Sequence, residues 1–141
     1  MTKEEQKAAG RKARRLGAKF ERDTRKDMIS KGWIVDKFTN NIDLDTQEIV
    51  QAKSNQFNSR SCGFPDFLMF RPILNRYELI FVECKLHGRI TKLEKQKLEF
   101  LRSRGHKCYV AEQNDERKEI IYREFVEYKE PNRVRREDIG D

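Results

Sequence analysis

Apolar residues in this chain come in short, concentrated runs separated by long charged stretches, and the runs differ in period. Leu16, Phe20, Thr24 and Met28 stand at four-residue steps ahead of Gly32, the spacing of one helical face closed by a glycine stop. WIVDKFT (33–39) then predicts a strand, and a second strand is expected near 46–52, around Ile49 and Val50. Pro65 precedes DFLMF (66–70), a short apolar strand, and RPILNRYE (71–78), with its Pro and Asn, reads as the turn into LIFVECK (79–85). TKLEKQKLEFLRSRG is a helix with Thr91 as N-cap, Glu94 completing a capping box and Gly105 ending it. KCYVAE (107–112) is a further strand, and EIIYREFVEY (119–128) is read as a last helix, with strand as the alternative. Residues 1–15 form a basic extension frayed onto the first helix, and 131–141 a polar tail. Strands bracketed by helices over 16–130 give a single α/β domain, a central mixed β-sheet flanked by helices.

The run 79–85 poses a chemical question. Four apolar residues in a row suit a strand buried on both faces, yet Glu83 and Lys85 follow at once. Period-two alternation sends both charges to one face and Cys84 to the other. The Glu-x-Lys pattern alone says little, because it recurs at Glu5, Glu116 and Glu127. Only at Glu83 does it end an apolar strand. If strands 66–70 and 79–85 close symmetrically into a hairpin, Asp66 faces Glu83, with Cβ atoms about 4.5–5.5 Å apart. Carboxylates that close repel unless a proton or a divalent cation lies between them. Mg²⁺ suits such a pair, since it binds through one or two carboxylates while keeping waters and phosphate oxygens. Lys85, on the same face, can orient an attacking water and stabilise charge on a phosphate. Gln96, three after Leu93 and four before Phe100, is expected on the helical stripe facing the sheet, bonded either to this site or to backbone.

Charge sharpens the picture. The 141 residues are 39% charged and 36% apolar, with net charge +7 and a pI near 9.4. Residues 1–26 hold ten Lys/Arg against four acids, Arg11, Arg14 and Arg15 among them. Such a cluster is either a solvated leader or an arm that gains affinity for nucleic acid by releasing condensed counterions. The polar loop 53–63 adds Lys53 and Arg60 as expected DNA contacts. Cys62, Cys84 and Cys108 are odd in number and unpaired in spacing, and His87 and His106 stand alone. That argues against a disulfide framework and a zinc site and fits a reducing cytoplasm, or the host's if the source is viral. No apolar stretch is long enough to span a membrane and no signal-peptide pattern is seen.

Gly63-Phe64-Pro65-Asp66 followed by Glu83-Cys84-Lys85 resembles the PD-(D/E)XK nuclease superfamily over roughly residues 16–112. The likeness is greatest to archaeal-type Holliday junction resolvases, through Gly17-Ala18-Lys19-Phe20-Glu21, the Gly32-Trp33 strand start and Gln96 on the following helix. Virus-type replication-repair nuclease domains share the later motifs. The resemblance implies a restriction-endonuclease-like fold and a Mg²⁺-dependent structure-specific endonuclease, with Mn²⁺ able to substitute. It implies catalytic roles for Glu21, Asp66, Glu83, Lys85 and Gln96, with Asp66 and Glu83 as metal ligands. It also implies a homodimer acting on branched DNA, and a loop Ser or Thr near the cleavage point, for which Thr39, Ser54, Ser59 and Ser61 are candidates. The alternatives are a nuclease acting on flaps or nicked DNA and a non-catalytic nucleic-acid-binding module.

Overall fold

A computed structural model describes residues 1–51 and 63–129. Helix α1 runs Lys3–Ser30, and Thr2 caps it with a reciprocal box: Glu5 N donates to Thr2 Oγ1 at 3.1 Å and Thr2 N to Glu5 Oε2 at 2.9 Å. The basic segment 1–15 is therefore helical and continuous with the helix expected from Leu16, with no break between them. Phe20, Thr24 and Met28 are buried as their spacing predicts, whereas Leu16 is 42% exposed. Gly32 ends the helix at φ +92°, and Trp33 N donates back to Met28 O at 3.0 Å.

The main sheet has five strands. In chain order these are β1 (Ile34–Lys37), β4 (Phe67–Ile73), β5 (Arg76–Cys84), β6 (Lys107–Gln113) and β7 (Ile120–Glu124), which is also their spatial order. β5 and β6 are parallel, joined across α2 (Lys92–Ser103), and the other pairs are antiparallel. A separate hairpin pairs β2 (Asn41–Asp43) with β3 (Glu48–Val50), so the strand expected near 46–52 is shorter and lies outside the main sheet.

Two expectations are corrected. Residues 71–78 are not a turn: β4 and β5 continue to Ile73 and Arg76, leaving only Leu74 and Asn75 between them. Pro72 is tolerated because β1 reaches only to Phe70, so beyond that point β4 is an edge and its proline owes no bond on that side. Arg71 and Glu78, directly opposite, bind at 2.7 Å and lock the extended ladder. The preferred last helix is instead β7. Ile120 and Tyr122 pack towards α1 while Ile121 and Arg123 face away, a period-two pattern that completes the open edge of β6.

The sheet separates two apolar layers. Phe20 and Met28 of α1 cover Val35, Phe67, Met69, Ile80, Val82 and Ala111. Leu98, Phe100 and Leu101 of α2 cover Phe38, Phe81, Cys108 and Val110 on the other face. Ile80 and Val82 point to the α1 layer and Phe81 to the α2 layer, so alternation carries Glu83 to the α2 side and Cys84 to the α1 side. Among the described residues no helix is long and apolar enough to cross a membrane.

Candidate active site

The β4–β5 register is the symmetric one: Phe67 pairs with Val82 and Ile73 with Arg76. One step beyond Phe67, it brings Asp66 to the level of Glu83. The approach to Asp66 explains Gly63. At φ +102°, a Cβ there would collide with Phe38 O, so only glycine lets the two chains pass. Phe38 N then donates to Asp66 O at 2.9 Å, and Phe64 N to Asn40 O at 3.3 Å, tying the segment to the end of β1.

Asp66 is the hub. Its Oδ2 accepts the backbone N–H of Cys84 at 2.8 Å, and its carboxyl is hydrogen-bonded to those of Glu83 and Glu21. Each carboxyl–carboxyl bond requires a shared proton. Glu83 is 4% exposed, and its Oε2 finds no partner among the described residues. Burial, with the bond to Asp66 and the charge of Asp66 behind it, pushes the Glu83 carboxyl up to about 11. Glu21 is raised too, by burial first and then by Asp66, against a weaker downward pull from Lys37. Glu21 thus reaches the site from α1, as expected. Thr24, fully buried on the same helix, donates to Phe20 O at 2.8 Å and neighbours the Cys84 thiol.

Lys85 leaves β5 with its N–H donating to Ala111 O at 2.9 Å, extending the parallel ladder by one bond. Its ammonium is bound by Glu94 Oε2 at 2.6 Å. Burial alone would lower the Lys85 pKa, but the Glu94 carboxylate, with Glu83 and Asp66 beyond, raises it above the usual lysine range. Glu94 moves the opposite way: burial works against it, and Lys85 and the Thr91 backbone bring it below the ordinary carboxylate range.

Glu94 is the residue that sequence reasoning missed as a site component. The face of α2 that meets the sheet carries Leu98, Phe100 and Leu101, and Glu94 stands one turn before Leu98 on it. Leu93, which suggested the other stripe, is 54% exposed. Gln96 lies round the helix, lining an open cavity of ≈ 870 Å³ with Asn41, Lys97, Phe100 and Tyr128 between α2 and the β2–β3 hairpin. The signal was available: Glu94 stands four residues before Leu98 and seven before Leu101.

Arg11, Arg14 and Arg15 lie on the exposed half of α1. At about 100° per residue, Arg11, Arg15, Lys19 and Arg22 fall opposite the buried face and Arg14 on its flank. Lys53, Arg60, Ser54, Ser59 and Ser61 lie outside the described residues. Thr39 is exposed, with its backbone against Gly63, three residues before Asp66.

Among the described residues no three His, Cys, Asp or Glu side chains close into a ready-made metal cage. Glu21 and Glu83 both neighbour Asp66. What the site offers a cation is a carboxylate pair, Asp66 and Glu83, with one buried oxygen lacking a partner. That fits Mg²⁺, which takes one or two carboxylates and keeps several waters. No family model matches the chain, and no curated protein or solved structure matches it either.

Proposed function

We propose that this chain is a Mg²⁺-dependent, structure-specific DNA endonuclease with a restriction-endonuclease-like fold, most like the resolvases of four-way junctions within the PD-(D/E)XK superfamily. The observation that carries the proposal is the Asp66–Glu83 pair. Two carboxyls are joined at the end of a buried hairpin, and the inner one keeps an unpartnered oxygen beside Lys85. Asp66 has a structural use in accepting the Cys84 N–H, but the buried Glu83 carboxyl keeps an oxygen without a partner among the described residues, a costly arrangement that a bound cation would relieve.

In this reading Asp66 and Glu83 hold Mg²⁺, with Mn²⁺ able to replace it, and the ion supplies Lewis-acid polarisation of the scissile phosphate. Asp66 keeps its grip on the Cys84 N–H and is thereby fixed in rotamer as a ligand. Lys85 presents a persistent positive charge, suited to orienting the attacking water and countering charge on the phosphate in the transition state. Glu21 adds a third acid on the α1 side, able to accept a hydrogen bond from a water near Asp66. Water is the nucleophile and no protein adduct forms.

Binding rests on the basic face of α1, where Arg11, Arg14 and Arg15 contact phosphates without reading bases. Two opposed cuts across a junction require two equivalent sites, which a homodimer with two-fold symmetry presents. The test is cleavage of a labelled synthetic four-way junction in Mg²⁺ at low salt, run beside a flap, a nicked duplex and a plain duplex. Paired symmetric nicks in the junction alone are expected. Cleavage of flaps with the junction untouched would move the chain to the replication-repair nucleases. Tight binding without cleavage of any substrate would leave a nucleic-acid-binding module.

A further inference from the structure

Glu94 occupies the third position of α2, and its two carboxylate oxygens have different tasks. Oε1 accepts the Thr91 N–H at 3.0 Å, while the Glu94 N–H donates to Thr91 Oγ1 at 3.2 Å, completing the capping box. Capping engages only that one oxygen. Oε2 turns towards the sheet and binds Lys85 Nζ at 2.6 Å. The same carboxylate therefore ties the start of α2 to the residue that follows β5.

We propose that Glu94 is a positioning residue for DNA cleavage: it anchors the Lys85 ammonium beside the Asp66–Glu83 pair. This rests on the nuclease reading of that pair. Lysine carries a flexible four-carbon stem, and an unanchored ammonium samples many rotamers, few of them near the scissile phosphate. The anchor itself is rigid. Leu98 and Leu101, one and two turns further along the same face, are fully buried against the sheet, and the capping box fixes the Glu94 side chain from the other side. Two other roles fit less well. A cap alone would leave Oε2 facing solvent on the outer surface of the helix. A further metal ligand would need a free oxygen, and both oxygens of Glu94 are engaged.

The experiment uses the full chain and the variant Glu94→Gln, whose amide oxygen still accepts from Thr91 N but carries no charge for Lys85. Two readouts are taken. The first is acetylation of individual lysines by a succinimidyl ester, followed by peptide mass spectrometry. Lys85 is expected to react several-fold faster in the variant, with Lys92 and Lys97 unchanged. The second is single-turnover cleavage of the preferred DNA at saturation. The rate is expected to fall by about 10- to 100-fold, the scale of a misplaced catalytic group, with DNA affinity and melting temperature unchanged. In a Lys85→Met background the same substitution should cause no further loss, since its effect passes through Lys85. Unchanged Lys85 labelling overturns the anchor. Faster labelling with an unchanged cleavage rate, or a loss that adds in full to that of Lys85→Met, overturns the positioning role. If the unaltered chain cuts no DNA, the nuclease reading fails and the positioning role with it, while the labelling still decides whether the anchor exists. Should Glu94→Gln fail to fold, Glu94→Asp replaces it. That variant keeps the charge but withdraws it by one methylene, and intermediate labelling and rate are expected.

Discussion

The two halves of α1 are continuous in backbone, yet they differ in charge and in surroundings: Lys3–Lys19 hold seven Lys/Arg against two acids, and Phe20–Ser30 three against three. From Phe20 onward the helix lies on the sheet, burying Phe20, Thr24 and Met28 and delivering Glu21 to Asp66. Before Phe20 nothing is buried, and the exposed surface carries Lys7, Arg11, Arg14, Arg15 and Lys19. Helical stability in proteins comes mostly from packing of one face; here only the docked half packs, and the Thr2–Glu5 box caps the far end. Under the proposed nuclease function the contrast becomes a division of labour, with chemistry assigned to the docked half and phosphate binding to the projecting one. If that division is real, each half can be damaged without the other.

The largest effect should come from Asp66→Asn. It removes the hub of the carboxyl chain and the charge a cation needs, while an amide oxygen can still accept from Cys84 N. Cleavage in Mg²⁺ should be abolished in a gel assay, and junction binding by fluorescence anisotropy should stay within about twofold, because affinity comes from backbone phosphates. Loss of binding as well would mean that the acid is structural.

Deleting residues 1–15 should do the converse. Six cations leave with the segment, so binding should weaken by at least about tenfold, and the salt dependence should flatten by roughly 0.9 for each phosphate that is no longer neutralised. Cleavage at saturating DNA should persist. A truncated chain that binds normally but cuts slowly would collapse the comparison, since the projecting half would then be part of the chemistry.

The amount of this that the sequence foretold follows from which physical rule was local. The Asp66–Glu83 pairing was legible because a symmetric hairpin has one register, and that register holds whether the turn takes eight residues or two. The Thr91 cap was legible because it is a contact between neighbours in sequence. The position of Glu94 was not, because Leu93, Leu98, Phe100 and Leu101 spread over about 160° of the helix circumference, nearly half. Only the sheet decides which of them it covers. β7 was ambiguous for a related reason: Ile120 and Tyr122 acquire their alternation from an open edge on β6, which lies outside the segment itself.

A third effect, moderate and opposite in sign, concerns Glu83. Its carboxyl is raised to about 11, chiefly by burial. The folded metal-free chain therefore favours the protonated form, while the unfolded chain ionises near the ordinary value of 4.5. Stability is full below that ordinary value and falls as pH rises above it. Glu83→Gln removes the titration, so at neutral pH without metal it should melt roughly 3–6 °C higher, the shift that about 1 kcal/mol produces in a chain of this size. It should also cut no DNA. A variant that melts lower than the parent at neutral pH would show that the buried carboxyl is a structural support rather than a functional strain.

The smallest effect tests the docked half alone. Tyr122 of β7 donates its hydroxyl to Asp27 Oδ2 at 2.7 Å, and Lys31 Nζ reaches the same oxygen at 2.9 Å. This pins the last turns of α1 to the far edge of the sheet, well along the helix from Glu21. Burial opposes ionisation of Asp27, but the two donors outweigh it, and its carboxyl lies below the ordinary value of 3.8. A depressed carboxyl contributes stability above that value and loses it as pH falls through the folded one. Tyr122→Phe should therefore cost about 1 kcal/mol at pH 7, the usual net worth of one such hydrogen bond. The difference between the two proteins should shrink in thermal melts taken near pH 3. Cleavage and DNA binding should both be unchanged, because the bond fixes the helix at its C-terminal end while Phe20 and Thr24 still seat Glu21. A loss of cleavage in this variant would mean that the seat of Glu21 depends on the whole docked half moving as one body.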